Sequence, residues 1–343
     1  MSQTRAGIEF TATYLPPQTA TVDELLRDGL LTGSAETLKA FGFSRVHLAG
    51  SETNVEMALA AATRLLEENE IDRDSIGMIL YAAALGSSST LWDAAPPPCQ
   101  LARSVAHAHE SAAVADAVLS FETVPDLFKY PASLLQSGLD LPHASVMGIN
   151  QIGCASIFAA MRVARGLLAA EEDLESVLCV AADKFPPGQP RDLAYNLVSD
   201  GACAALVRRN PSRNRIVECA QVTKGALWDS GSIENEIIAS YFPTATSLIE
   251  RTLRKAGVTI DDIALVIPHN VSLRSWEILG RLIGCPDERI YTANIARVGH
   301  TIASDTLLNL EDATAAGKIQ KGDLLLLFTF GYGSNWVSMI VEH

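Results

Sequence analysis

The feature that most limits what this chain can become is a recurring alternation, in which apolar runs of strand length are each followed by a helix-length segment with its apolar residues on one face. The runs are apolar on consecutive residues rather than on every second one. Both faces of such strands must be covered, which is the pattern of an α/β protein with largely parallel, buried strands. Strands are predicted over 8–14, 76–84, 144–149, 176–182, 201–208, 215–222, 263–267, 324–330 and 337–341. Helices are predicted over 156–170, 244–256, 273–283 and 303–316. Two more open at the capping boxes Thr21-Val-Asp-Glu24 and Thr53-Asn-Val-Glu56, the second running to about Glu68.

The polar, turn-rich stretch Arg208-Arg-Asn-Pro-Ser-Arg-Asn214 interrupts this alternation, and the same order of elements then starts again. Two halves, 1–209 and 210–343, are therefore expected. Charged residues make up 19% of the 343, against about a quarter in an ordinary soluble chain. The deficit means extra apolar surface hidden in interior helices or in an oligomer interface, and a dimer is expected. With 26 Lys plus Arg against 40 Asp plus Glu, the net charge is −14, so a broad grip on nucleic-acid phosphates is excluded. No basic leader precedes an apolar run, and no stretch reads as the roughly 18 apolar residues that a membrane span needs. The protein reads as soluble and cytoplasmic. Its six cysteines lack CxxC spacing, against both a zinc ribbon and a disulfide framework. No metal site is expected.

Three short stretches carry chemistry. Gly153-Cys154-Ala155-Ser156 delivers a cysteine to the start of an apolar helix, where the helix dipole and unpaired backbone N–H groups favour a thiolate. Ile263-Ala-Leu-Val-Ile-Pro-His269-Asn270 puts a histidine at the carboxyl end of a buried strand, where α/β folds assemble their sites. Val298-Gly-His300-Thr301 sets another histidine just before a helix. Each also has a plain structural reading: a small buried helix residue, a satisfied polar group at a strand end, and a neighbour of a helix cap.

Taken together, these stretches and their neighbours resemble the ketoacyl-ACP synthase III branch of the thiolase superfamily over most of the chain. Tyr14-Leu-Pro-Pro with Val22-Asp-Glu-Leu, and Phe43-Ser-Arg45, are similar to the family's N-terminal signatures. Ser199-Asp-Gly201-Ala-Cys-Ala-Ala stands where SDGAGAA is usual, and Ile267-Pro-His269-Asn-Val-Ser-Leu-Arg274 where PHQANLR is. Arg297-Val-Gly-His-Thr takes the place of RxGNT, and Phe330-Gly-Tyr-Gly-Ser-Asn-Trp336 that of FGGGxTW. The resemblance implies a five-layer αβαβα sandwich of two pseudo-duplicated halves, in a homodimer with no permanently bound cofactor.

Carried over, the resemblance makes Cys154 the nucleophile that accepts an acyl group from an acyl-CoA or acyl-carrier-protein thioester. It makes His269 the catalytic histidine, and the Cys154 and Tyr332 backbone amides the oxyanion hole, where such donors are worth about 3–4 kcal/mol each. In condensing members an asparagine helps the histidine hold the carboxylated extender; here that position is His300. The reading this favours is acyl transfer to a hydroxyl, amine or carrier thiol, in fatty-acid-like or polyketide metabolism. His269 is then expected to act as base and His300 as its partner, with Asp305 either orienting His300 or, the reading preferred, an exposed acid near a helix start. Decarboxylative condensation through a Cys-His-His site is the alternative, and a non-catalytic partner subunit is a third reading. Relative to the family, about 90–128 is an insertion. A helix over 101–120, with Phe128 and Tyr130, is expected either to shape the acyl cavity or to form a surface helix, and His107 and His109 to be solvated. Arg254 and Arg274, with Arg251, Lys255 and Arg281, lie on or beside the helices flanking His269 and are expected to contact CoA phosphates or an acidic carrier.

Overall fold

The computed structural model describes residues 5–84, 130–193, 196–228 and 234–343. Nine strands build its main sheet: β1 (Ala6–Tyr14), β2 (Ile76–Ala82), β3 (Ser145–Ile149), β4 (Ser176–Asp183), β5 (Gly201–Arg209), β6 (Arg215–Thr223), β7 (Ile263–Ile267), β8 (Leu324–Gly331) and β9 (Asn335–Glu342). Their order is β7-β8-β9-β6-β1-β5-β4-β2-β3. A single residue pair, Gly7 with Arg215, joins β1 to β6. The sheet therefore divides there into a five-stranded first leaf and a four-stranded second leaf. Glycine is required at that crossing, because a Cβ on Gly7 would stand 2.5 Å from the Asn214 carbonyl oxygen.

Six helices make up the remaining layers: α1 (Asn54–Glu68), α2 (Pro131–Gly138), α3 (Ser156–Ala170), α4 (Glu234–Ala256), α5 (Leu273–Ile283) and α6 (Asp305–Ala315). On the outer face of the first leaf, α1 and α2 bury Met57, Leu65 and Leu135 against Ile79, Leu178 and Leu206. On the outer face of the second leaf, α4 and α5 bury Leu248, Ile249 and Trp276 against Val266, Phe328 and Ile340. Between the leaves, α3 and α6 bury Ile157, Met161, Leu307 and Leu310 against Leu80 and Val207 on one side and Leu327 and Met339 on the other. The alternation along β8 makes this possible: Leu325 and Leu327 face the central helices while Leu326 and Phe328 face α4 and α5. The result is the five-layer αβαβα sandwich.

Three expectations need correction. The strands are buried on both faces, but the sheet is mixed: β2 pairs in parallel with β3 and β4, and β7 with β8, whereas β1/β5, β1/β6, β4/β5, β6/β9 and β8/β9 are antiparallel. Two-sided burial fixes composition, not direction. The helix expected from Thr244 begins at Glu234 and continues through Pro243. Proline costs a helix interior about 3 kcal/mol, and the packing of Tyr241 and Phe242 upstream of it, against each other and of Tyr241 against Phe330, opposes that cost. The stretch Gly153–Ala170 is apolar and 18 residues long, enough to cross a membrane by length and composition, which corrects the expectation that no segment approaches that length. Its apolar face belongs to the core between the leaves. Both capping boxes are present, each with Thr and Glu exchanging hydrogen bonds. The expected insertion, including the helix over 101–120, His107, His109 and Phe128, lies outside the described residues.

Candidate active site

The loops at the carboxyl ends of β3, β7 and β8 meet the start of the two central helices. Cys154 sits in a single 3-10 turn, Gly153–Ala155, that runs directly into α3. Gly153 has φ +56, and a Cβ there would stand 2.5 Å from the amide nitrogen of Tyr332. The nucleophile loop and the turn after β8 are thus in backbone contact. Three non-glycine residues around the site have left-handed backbones: Gln151 (φ 65), Ile302 (φ 59) and Ser334 (φ 55). For a β-branched residue such as Ile302 this conformation costs free energy, of order 1–3 kcal/mol, that surrounding structure must hold in place.

His300 is the side chain that reaches the thiol. Its Nε2 lies 3.2 Å from Cys154 Sγ, and its Nδ1 lies 2.5 Å from Asp305 Oδ2. With Nδ1 donating its proton to the carboxylate, Nε2 is left facing the sulfur, ready to take a proton from it. The backbone of His300 is clamped as well: its N–H donates to Leu197 O at 2.9 Å and its carbonyl accepts from Ser199 N at 2.8 Å. Asp305 opens α6 and is 1% exposed, so the expectation of an exposed helix acid is wrong. Its Oδ1 accepts from the Thr301 amide (2.6 Å) and hydroxyl (2.7 Å), and its Oδ2 also accepts from the Asn270 amide (2.7 Å). One carboxylate therefore ties the His300 loop to the residue following His269.

Burial by itself draws the His300 imidazole toward its neutral form, but the Asp305 carboxylate and the Cys154 sulfur outweigh it and hold the ring well above its ordinary value. Burial would raise the Asp305 carboxyl; His300, Thr301 and the Asn270 amide reverse this and hold it below the usual carboxylate range. The other described cysteines are pushed up by burial, Cys219 to about 11 and Cys203 to about 12. Among the described cysteines, Cys154 alone has a histidine at hydrogen-bonding distance.

His269 differs from His300 in its side-chain partners and in its charge. It is 1% exposed, and neither ring nitrogen has a hydrogen-bond partner. Its main chain is fixed by donation to Phe328 O (3.1 Å) and by the Trp276 indole N–H, which donates to its carbonyl at 2.9 Å. The ring sits among Trp276, Phe328 and Tyr241, 6.3 Å from His300 between centroids. Burial, with the nearby His300 charge, pushes it down to about 3. It is thus a neutral ring and a poor base. Pro268 and Asn270 on either side of it are held by Asn309 of α6, whose Nδ2 donates to Pro268 O and Asn270 Oδ1, both at 2.8 Å.

Cys154, His269, His300 and Tyr332 line one cavity of about 50 Å³, walled by Phe185, Val198, Ile302 and Phe330. The wall itself is braced by Asp200, which accepts two hydrogen bonds from Arg191 at 3.0 Å and one from the Phe185 amide at 2.8 Å. Tyr130 is not part of this wall; it is 65% exposed where α2 begins. Arg274 and Arg254 are also outside it, on the surface, where they pair with Glu277 at 2.8 Å and Glu250 at 3.7 Å. Phe128 lies outside the described residues. Among the described residues no cluster of three or more His, Cys, Asp or Glu is placed to hold a metal. Sequence reasoning missed the depth of Asp305 and the brace at Asn309; the available signal was the five-residue step from His300 to Asp305, which brings an acid back over the ring when a tight turn precedes a helix.

Sequence models of the 3-oxoacyl-[acyl-carrier-protein] synthase III family match residues 149–225 and, for its C-terminal part, 253–343. The first match spans Cys154; the second spans His269, His300 and Asp305. The chain is similar to β-ketoacyl-[acyl-carrier-protein] synthase III of Aquifex aeolicus, 24% identical over 66% of this chain and 76% of that protein. Its similarity to the Xanthomonas campestris protein of the same name is 23% over 97% of each. In structure the Aquifex aeolicus enzyme superposes with a TM-score of 0.78 at 21% identity, covering 98% of this chain and all of that one. The acyltransferase ChlB3 superposes with a TM-score of 0.77 at 22% identity, covering 98% and 97%.

Proposed function

The chain belongs to the ketoacyl-ACP synthase III group of the thiolase superfamily, and on that premise we propose that it is an acyltransferase working through a Cys154–His300–Asp305 relay. The observation that carries this reading is the unbroken chain of contacts from sulfur to imidazole to buried carboxylate. In the first half-reaction the Cys154 proton rests on His300 Nε2, and the thiolate attacks the carbonyl carbon of an acyl-CoA or acyl-carrier thioester. The oxyanion is received by the Cys154 amide at the start of α3, with the Tyr332 turn packed against it. As the intermediate collapses, the donor's C–S bond breaks and its leaving thiolate takes the Cys154 proton from His300, leaving an acyl-Cys154 thioester. In the second half-reaction the now neutral His300 accepts the proton of an incoming hydroxyl, amine or thiol. That acceptor attacks the acyl carbon, and Cys154 leaves as the thiolate with the proton resting on His300.

His300 thereby takes the base role that the sequence suggested for His269. A ring pushed down to about 3 accepts a proton poorly but donates a hydrogen bond well, so His269 is assigned to the substrate's carbonyl oxygen. This assignment also weighs against condensation. Holding a carboxylated extender calls for two donors, and in the acyl-enzyme the neutral His300, its Nδ1–H given to Asp305, presents an acceptor at Nε2 and not a donor. Arg254 and Arg274 keep their assignment as surface contacts for the phosphate or acidic carrier of the donor, and we assign the chain a homodimeric state. The test is intact-mass spectrometry after incubation with acyl-CoA and acyl-carrier mixtures: an acyl adduct is expected on the wild type and none on Cys154→Ala. Absence of the wild-type adduct overturns the enzyme reading. Acceptor-dependent release of CO₂ from a malonyl thioester, abolished in His300→Ala, overturns simple transfer in favour of condensation.

A further inference from the structure

A second cavity, of about 320 Å³, opens between the end of β6 and the middle of α4, lined by Val222, Lys224, Thr244, Ser247, Leu248 and Arg251, with Pro243 at its edge. Its volume is at the lower end of the roughly 300–1,000 Å³ range of small-molecule pockets. Two cations face it, and among the described residues no carboxylate lines it. In a chain of net charge −14, that is a local reversal of sign.

Neither cation is neutralised by a partner among the described residues. Lys224 makes no ion pair there and holds its ammonium 5.7 Å from the centroid of the Trp336 ring. Arg251 donates through one terminal nitrogen to Gln221 O at 3.1 Å, while its buried Nε has no hydrogen-bond partner. Arginine and lysine that are buried or half-buried normally find an anion or a carbonyl for each donor they withdraw from water. Thr244 and Ser247 add two hydroxyls on the same helix face. Two positive groups and two hydroxyls suit a tetrahedral dianion, which accepts on three oxygens, better than a planar carboxylate.

We propose that this cavity is a phosphate-binding site, taking a phosphomonoester group on Lys224 and Arg251. It is distinct from the Cys154 cavity: Trp336 and Phe330, with ring centroids 4.7 Å apart, stand between Lys224 and the thiol pocket. It is also joined to that pocket through the main chain. The Lys224 amide donates to Ser334 O at 3.0 Å, and the Ser334 hydroxyl to Leu227 O at 3.1 Å, so the segment carrying Lys224 braces the turn that contacts Gly153. The site stands on these groups alone, whether or not Cys154 transfers acyl chains.

The test is calorimetric titration of the full chain with inorganic phosphate, adenosine 3′,5′-bisphosphate and 4′-phosphopantetheine in parallel, with tryptophan fluorescence as a second readout because Lys224 lies over Trp336. Saturable binding is expected, weakened about tenfold or more in Lys224→Ala and in Arg251→Met. It should be unchanged in Lys321→Ala, which removes an exposed charge outside the cavity. Tighter binding of the bisphosphate marks a nucleotide as the source of the phosphate, tighter binding of phosphopantetheine marks a carrier arm, and equal binding of all three marks free phosphate. Should Arg251→Met fail to fold for loss of its bond to Gln221, Lys224→Ala, which removes no hydrogen bond of its side chain, still decides. No saturable binding of any probe, wild-type affinity in Lys224→Ala, or equal weakening in Lys321→Ala overturns the proposal.

Discussion

Asp305 accepts four hydrogen bonds on two oxygens, from Thr301, Asn270 and His300, and the role of each histidine follows from that. Replacing it by asparagine keeps the shape but offers an amide where His300 needs an acceptor, so the ring is free to turn its tautomer away from the sulfur. The rate of acyl-enzyme formation is expected to fall by about 10²- to 10⁴-fold in Asp305→Asn with the fold retained, as read by single-turnover mass spectrometry beside circular dichroism; an unchanged rate removes Asp305 from the relay. His269 supports a prediction on stability. Its native value, about 3, lies below the ordinary 6.5 of the unfolded chain, so below pH 6.5 the unfolded state binds a proton that the native state refuses. The neutral ring's contribution is fully present above pH 6.5 and is lost as pH falls toward 3, with a limiting slope of about 1.4 kcal/mol per pH unit. His300, whose native value is raised, has the opposite sign, with its contribution present below 6.5 and lost as pH climbs through the native value. Urea denaturation of wild type and His269→Phe between pH 6 and pH 5 isolates the first effect: the variant should lose less stability across that interval, and equal losses exclude a neutral buried His269.

At the scale of elements, the site depends on how closely two turns approach. The Gly331 position faces the Ile152 carbonyl and the amides of Cys154 and Ala155, with a Cβ there falling 2.7 Å from the Cys154 nitrogen. Real Cβ atoms do not sit that close to backbone, and neither turn has a flexible side chain that could give way. Gly331→Ala is therefore expected to lower stability by about 1–3 kcal/mol and to remove most acyl-Cys154 formation, measured by thermal melting and intact mass. A variant that melts and acylates like the wild type refutes the tight junction. Elements were legible where local rules sufficed. Ser156–Ala170, Ile263–Ile267 and Leu273–Ile283 have the predicted bounds, because strand-length apolar runs and helical periodicity are read directly from neighbours in sequence. The start of α4 was not legible, because Pro243 is a local stop that distant partners of Tyr241 override.

For the whole molecule, β3 is one of the two edges of the main sheet, pairing among the described residues with β2 alone. Its sequence, Ser-Val-Met-Gly-Ile, carries no charge, and Met147 is 44% exposed. An uncharged edge with free N–H and C=O groups is a template for another strand. The assigned homodimer is expected to use it, giving twice the chain mass of 36.7 kDa by light scattering. Met147→Asp should shift the mass toward one chain, and a monomeric wild type or an unaffected variant excludes this edge as the interface. The first 209 residues carry most of the acidity, net −11 of the total −14. The half that presents Lys224, Arg251 and the two histidines is thus nearly balanced, which suits anionic substrates where the whole-chain charge argues against them.

The residues themselves determined the two-fold repeat of element order, the buried character of the strands, the two capping boxes and the positions of Cys154, His269 and His300 at element ends. Each is written in residues adjacent in the chain, where periodicity, turn chemistry and motif spacing act over a few bonds. Tertiary structure decided strand direction, the continuation of α4 through Pro243, and the division of labour between the histidines. Cys154 and His300 are 146 positions apart, and whether sulfur meets His269 or His300 depends on how two leaves close around α3 and α6. Asp305 makes the same point at shorter range. An acid at a helix start is exposed by default, and here it is the packing of that helix between two sheets that buries it, charges His300 and leaves His269 neutral.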